Sequence, residues 1–157
     1  MREERETLML QLAAVADVGR GTDEALSLMG QVPNEPAGLS QMSIIQRTAA
    51  RALLKSVEQM QDLLARTLRL LLILEEEDMT GMSARAIADR AESLGMIPST
   101  DEWSALVRLR NRLVHEYPAS AHVQLARLRD AVAAAGALHT IHLAILAFAD
   151  QRKGSAS

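Results

Sequence analysis

The chain has no cysteine, so neither a disulfide nor a thiolate metal site is open to its 157 residues. Aromatics are almost as scarce: Trp103, Tyr117 and Phe148 are all there are. A core for a chain of this length must then be assembled from Leu, Ile, Val, Met and Ala, as helices packed on helices assemble theirs. Long apolar runs are missing too. The leucine-rich run at residues 70–74 is closed by Arg69 and Glu75 and falls far short of the ~20 residues a spanning helix needs. The polar, acidic start Met1-Arg2-Glu3-Glu4-Arg5-Glu6 is unlike a signal peptide, so a soluble, cytoplasmic protein without a membrane partner is expected. No sign of charge dominates. A net charge of −3 argues against a protein that coats nucleic acid by bulk attraction. Gly19-Arg20-Gly21 lacks the strand, spacing and lysine of a phosphate-binding loop, and no serine stands in a nucleophile-elbow context.

What is present has helical period. Residues 3–18 read as an amphipathic helix with Leu8, Leu12, Val15 and Ala16 on one side, interrupted by Gly19 and Gly21. Thr22, followed by Asp23 and Glu24, reads as the N-cap of a short helix over 23–29 that Gly30 ends. Residues 31–38, with Pro33 and Pro36, form a loop. The longest helix follows over 40–77, carrying Ile44, Ile45, Ala49, Leu53, Val57, Met60, Leu64 and Leu68 at helical spacing. Its end is apolar nearly all round and must be buried on several sides, in the bundle or against another subunit. Glu75-Glu76-Glu77-Asp78 reads as a solvated end that frays against the helix dipole.

Gly81 breaks the chain, Ser83 caps a helix that Gly95 closes, and Thr100 caps the next, with Asp101 and Glu102 in its first turn. Pro118 biases Tyr117 away from helical backbone, so that helix ends near 116. Ser120 opens a final long helix carrying Val123, Leu128, Val132, Ala135, Leu138, Ile145 and Phe148. The fold expected is all-α, an up-and-down bundle of four to five main helices. A single domain spans 1–153, and residues 154–157 form a disordered tail.

Chemistry concentrates in one place, Arg108-Leu109-Arg110-Asn111-Arg112-Leu113-Val114-His115-Glu116-Tyr117-Pro118. Wound at ~100° per residue, Trp103, Leu106, Val107, Leu109, Leu113, Val114 and Tyr117 share one broad apolar face with Arg110 near its middle. Asn111 and His115 lie together on a different side, beside Arg108. A guanidinium cannot shed its charge, so a central Arg110 requires a partner or a route to the bundle edge. Arg110 and His115, five apart, stand ~140° apart around the axis. They meet only if the helix unwinds before His115 or if a second copy completes the site, as an isologous dimer would. The plainer account makes His115 a helix-end histidine and Arg112–Glu116 a surface pair.

Arg110-Asn111-Arg112-Leu113-Val114-His115 resembles the signature of HEPN domains, and the extension to Tyr117 resembles the Arg-x4-His-x-Tyr form of HepT-like toxins. The resemblance rests on about eight residues together with helix count and chain length. The chain departs from compact members by extra length in the segment 19–40 and by the flanking Arg108 and Arg112. It implies a small, dimeric, all-α endoribonuclease that needs no metal or other cofactor, encoded with a nucleotidyltransferase antitoxin. It further implies that Arg110, Asn111 and His115 are catalytic, that Arg108 and Arg112 help to bind RNA, and that Tyr117 receives AMP from the partner. The residue types suit such chemistry: imidazole moves protons near neutrality, and guanidinium binds phosphate with two parallel hydrogen bonds. Between Arg108 and Arg129 five arginines face one acid, Glu116, which a confined basic patch or the wet face of the last helix would explain equally.

His139 and His142, three apart, can share a helix face, but no carboxylate accompanies them, and packing or partner contacts are the expected role. Two alternatives stand beside the ribonuclease. One is a non-catalytic HEPN-like domain that binds a nucleotidyltransferase or its substrate. The other is a plain helical dimerisation module.

Overall fold

The computed structural model describes residues 2–115 and 120–155. Among these residues five α-helices and one 3₁₀ turn make up an all-α bundle: α1 (Arg2–Met29), the 3₁₀ turn (Pro36–Gln41), α2 (Ile44–Leu74), α3 (Ala84–Ser93), α4 (Thr100–His115) and α5 (Ala121–Gly154). The amino-terminal halves of α2 and α5 line one cleft, and their carboxy-terminal ends, with the start of α1, line another. Hence α2 and α5 run the same way, and α1 and α4 run against them. The core is aliphatic as the composition demands. Val15, Leu53, Leu64, Leu72, Met96, Leu138, Ile141 and Ile145 are essentially sealed from solvent, each large side chain contributing roughly 1.5–3 kcal/mol by burial.

Several boundaries differ from those the sequence suggests. Gly19 and Gly21 do not break α1, which is one continuous helix through Met29. Each glycine costs a helix about 1 kcal/mol, but packing along α2 offsets it, with Met60 Cε lying 3.7 Å from where a Gly19 Cβ would stand. Thr22 is no cap. It is buried within α1, its hydroxyl donating to the Val18 carbonyl at 2.9 Å.

The long helix begins later than expected, at a capping box in which Ser43 and Gln46 exchange hydrogen bonds between side chain and backbone. Its acidic end is not frayed. Glu77 N–H donates to the Leu72 carbonyl and Glu76 N–H to that of Ile73, a Schellman closure that puts Glu76 at φ 60°. Glu75 pairs with Arg152 at 2.8 Å and Glu77 with Arg90 at 2.6 Å, so this acidic run ties α2 to α5 and α3. Leu68, Leu70, Leu71 and Leu72 are buried, so most of this apolar helix end is covered within the chain, while Ile73 stays 46% exposed.

Ser99, not Thr100, caps α4, its hydroxyl accepting from Glu102 N–H at 3.2 Å. Thr100 is buried inside the first turn, where its N–H and hydroxyl both bond the Glu92 carboxylate. Ser120 caps α5 as expected. α5 is long and apolar enough to cross a membrane, as core helices of bundles can also be. In the bundle it packs against α1, α2 and α4, and Leu128, Ala131, Leu138, Ile141 and Ile145 along it face the core. Of the expected tail, Gly154 is helical and Ser155 caps α5, and residues 156–157 lie outside the described residues.

Candidate functional site

Arg110 does not sit in the middle of a buried face. Trp103, Leu106 and Leu109 are buried, whereas Val107 and Val114 are 36% and 40% exposed. The apolar side of α4 is therefore split into a core-facing half and a solvent-facing half, with Arg110 on the border. Its partner is Asp62 of α2. Arg110 Nε donates to Asp62 Oδ1 at 2.8 Å and Nη2 donates to Oδ2 at 3.2 Å, the side-on fork that guanidinium and carboxylate planes favour. Asp62 and, more weakly, Glu58 hold the Arg110 pKa above its ordinary value despite the desolvation that opposes them, so the group carries a permanent charge.

The remaining geometry follows from that grip. A guanidinium has five N–H donors, and Asp62 takes the Nε/Nη2 edge. Nη1 makes a long 3.4 Å contact with Asn111 Oδ1, and the guanidinium has no further partner among the described residues. Asn111, Arg108 and His115 are all exposed, and on an ideal helix they fall within ~60° of one another. Together they form an edge beside the Val107 and Val114 strip. The structure thus brings Arg110 and Asn111 together and places His115 one turn further along the same edge as Asn111.

It does not bring Arg110 to His115. α4 stays helical through His115, so the unwinding that would join them within one chain is absent among the described residues. His115 ends the helix with Arg112, at the pole where positive charge is favourable. Arg112 lies 4.0 Å from Asp130 of α5. Tyr117, the expected modification site, and Glu116, the expected partner of Arg112, lie outside the described residues.

The five arginines from 108 to 129 are not one free patch. Arg110 is engaged by Asp62, and Arg129 donates to the backbone carbonyls of Asn34 at 2.8 Å and Pro33 at 3.4 Å. Arg129 therefore pins the loop before the 3₁₀ turn onto α5. Arg127 is buried and engaged within the fold. Of the pair on α5, His142 is buried and His139 exposed, so they do not present one ligand face. Among the described residues no three His, Asp or Glu side chains gather as metal ligands would.

A family model described as ribonuclease HepT-like matches residues 23–133, well over half of the chain. The chain belongs to the ribonuclease HepT-like family. The matched span takes in all of α2, α3 and α4 with the beginning of α5, hence both Asp62 and the stretch 108–118. No curated protein and no solved structure matches the chain.

Asp62 is the residue that the α4 stretch gives no hint of, since the pairing crosses from one helix to another. A signal for it exists on α2. At ~100° per residue Arg47, Arg51, Lys55, Glu58, Asp62, Arg66 and Arg69 all fall within one sector of ~100°, a charged stripe with acids in its middle. A helix face that places two acids between two sets of cations invites a cation from elsewhere.

Proposed function

We propose that this member of the family is a metal-independent endoribonuclease whose active cleft is shared by two copies of the chain. The observation that supports this reading is Arg110. It is a permanently charged guanidinium, fixed by Asp62, with no partner beyond Asp62 and Asn111 among the described residues, on the same helix that presents His115 and Asn111 to solvent. In the reaction the ribose 2′-hydroxyl oxygen attacks the adjacent phosphorus as its proton is taken up by a base, and the bond to the 5′-oxygen breaks. That oxygen gains a proton, which leaves a 2′,3′-cyclic phosphate and a free 5′-hydroxyl. His115 serves in proton transfer, Arg110 stabilises the charge gathering on the non-bridging oxygens, and Asn111 orients the imidazole or the phosphate.

Arg110 and His115 diverge on one helix, so the reading places Arg110 of one protomer opposite His115 of its partner across a twofold axis. The half-exposed Val107 and Val114 beside them provide apolar surface for that contact. Arg108 and Arg112 would hold flanking phosphates. As a toxin in the cytoplasm the enzyme would be silenced by a cognate nucleotidyltransferase that transfers AMP to Tyr117, adding a bulky anion next to an anion-binding cleft.

The test is cleavage of RNA by the purified chain in EDTA at neutral pH, with the product ends identified. Cyclic phosphate ends, lost in Arg110→Ala and His115→Ala variants that keep their helicity, are the expected result. Intact RNA under those conditions overturns it. Intact mass after co-expression with the nucleotidyltransferase tests the regulatory half, which fails if Tyr117 stays unmodified.

A further inference from the structure

The charged stripe of α2 continues beyond the Arg110 site. Arg47, Arg51 and Lys55 follow one another at four-residue intervals and so stack along one side of the helix over about 12 Å. They form one wall of an open cleft of about 500 Å³, and Arg127 of α5 stands on the opposite side. Among the described residues Glu58 is the one acid in the lining, and it is occupied by Lys55 at 3.1 Å. Arg47 and Arg51 are exposed and make no ion pair among the described residues. In a chain of net charge −3, Arg47 and Arg51 are a local pair of cations without an ion-pair partner among the described residues.

Its position relates it to the candidate site. Glu58, at one end of the cleft, lies one turn from Asp62, and its charge is felt by Arg110. Leu113, which also lines the cleft, lies three residues beyond Arg110 on α4. The cleft therefore opens beside Arg110 and runs away from it along α2 towards the 3₁₀ turn, where Leu39 and Met42 close it. Its walls between the cations are aliphatic, and Leu54 and Leu128 contribute to them. Such a surface accepts ribose and base faces without reading their edges, because among the described residues its lining has neither aromatic platforms nor amide side chains other than Gln124.

We propose that this cleft is the track for the single-stranded RNA that flanks the scissile phosphate, with Arg47 and Arg51 binding consecutive parts of its backbone. The assignment rests on the ribonuclease reading of Arg110 and His115. It names a substrate class, an unpaired strand held by its backbone, and it makes recognition tolerant of sequence beyond the cleaved step.

The experiment measures binding of a labelled, unpaired RNA of about 12 nucleotides to the full-length His115→Ala protein across a range of salt. Adding Arg47→Ala and Arg51→Ala is expected to weaken binding at least tenfold at low salt. It should also reduce the slope of log K against log salt by about 1.4, two phosphate contacts at ~0.7 each. Arg47→Lys with Arg51→Lys keeps the charge and should retain most of the slope, which separates lost contacts from misfolding. Arg20→Ala, on α1, leaves both quantities unchanged. The cleft assignment is overturned if the double alanine variant binds with the parent's affinity and slope, while cleavage by the unsubstituted chain would still uphold the ribonuclease reading. RNA held through Arg47 and Arg51 but never cleaved by the unsubstituted chain sinks the ribonuclease reading and leaves the cleft standing. Absence of any RNA binding overturns both.

Discussion

Asp62 and Arg110, 48 positions apart in the chain, meet through two hydrogen bonds of 2.8 Å and 3.2 Å that join α2 to α4. Both side chains keep about a third of their surface, so the pair lies at the rim of the bundle, not inside it. A rim pair contributes little to stability, on the order of 1 kcal/mol. Its geometric effect is larger, because a guanidinium on a free four-bond stem would sample many rotamers, and this one is held to a single orientation.

Asp62→Asn should therefore separate stability from activity. The amide keeps the volume but loses the charge and one acceptor, so the fork onto Arg110 is broken. Unfolding free energy should fall by no more than about 1 kcal/mol. RNA cleavage should fall at least tenfold in kcat, with KM changed less. An equal loss in Asp62→Asn and in a surface acid such as Asp17→Asn would show that Asp62 does not position Arg110.

Divergence of Arg110 and His115 on a continuous helix gives a complementation prediction. If each active cleft takes Arg110 from one protomer and His115 from the other, Arg110→Ala and His115→Ala homodimers are both dead. Mixed and allowed to exchange, half of the dimers are heterodimers, and each has one intact cleft. Activity should return to about a quarter of the unsubstituted level. Were both residues drawn from the same chain, no mixture would regain activity.

The strip that would carry this contact is small enough to attack directly. Val107→Asp with Val114→Asp introduces like charges at equivalent places across a twofold axis, where they face each other. Neither side chain belongs to the sealed core, being 36% and 40% exposed. The variant should keep its helicity but sediment as a monomer, and lose cleavage. Unchanged mass would place the dimer contact elsewhere.

How far the sequence carries this account depends on whether a feature is local. Capping by Ser83 and Ser120, closure at Gly95 and the all-α class follow from residues within one turn of each other, and they appear as read. Features that depend on a second element were misjudged. Gly19 and Gly21 look like breakers until α2 packs against them, and the acids at 75–78 look solvated until Arg90 and Arg152 arrive from α3 and α5. For the site, the wheel of α4 raised the correct question about Arg110. The answer, Asp62, lay on another helix, and so did the cation stripe beside it. The α4 wheel could not show either, because helical periodicity orders residues around one axis and does not say which axes face each other.

The continuity of α1 is itself testable. At Gly19 an added Cβ meets only the flexible end of Met60 at 3.7 Å, an ordinary contact, and at Gly21 it meets nothing within 4 Å. Alanine at either position gains helix propensity, about 1 kcal/mol, without steric loss. Each substitution should raise Tm by roughly 2–4 °C. Gly38→Ala makes the contrast, since its Cβ would lie 2.7 Å from Pro33 Cβ and force the loop apart. If Gly19→Ala and Gly21→Ala lower Tm, the helix is interrupted there after all.

His142 sets a pH dependence of stability. It is 8% exposed, and its Nε2 has no hydrogen-bond partner among the described residues. Burial, with a smaller contribution from the neighbouring His139, pushes its pKa below the ordinary 6.5. The unfolded chain thus binds a proton at higher pH than the folded one. Stability from this residue is complete above about pH 6.5 and declines as pH falls from there towards the depressed folded value, below which the loss is constant. His142→Leu removes both the titration and the unpartnered nitrogen while keeping an apolar side chain on the core face of α5. Denaturant titrations between about pH 7.5 and 5.5 should show the unsubstituted protein losing stability and the variant losing less. At low pH the variant should be the more stable, by an amount on the order of 1 kcal/mol. Parallel curves for the two proteins would mean that the folded and unfolded chains protonate His142 alike, and that another group causes the loss of stability in this window.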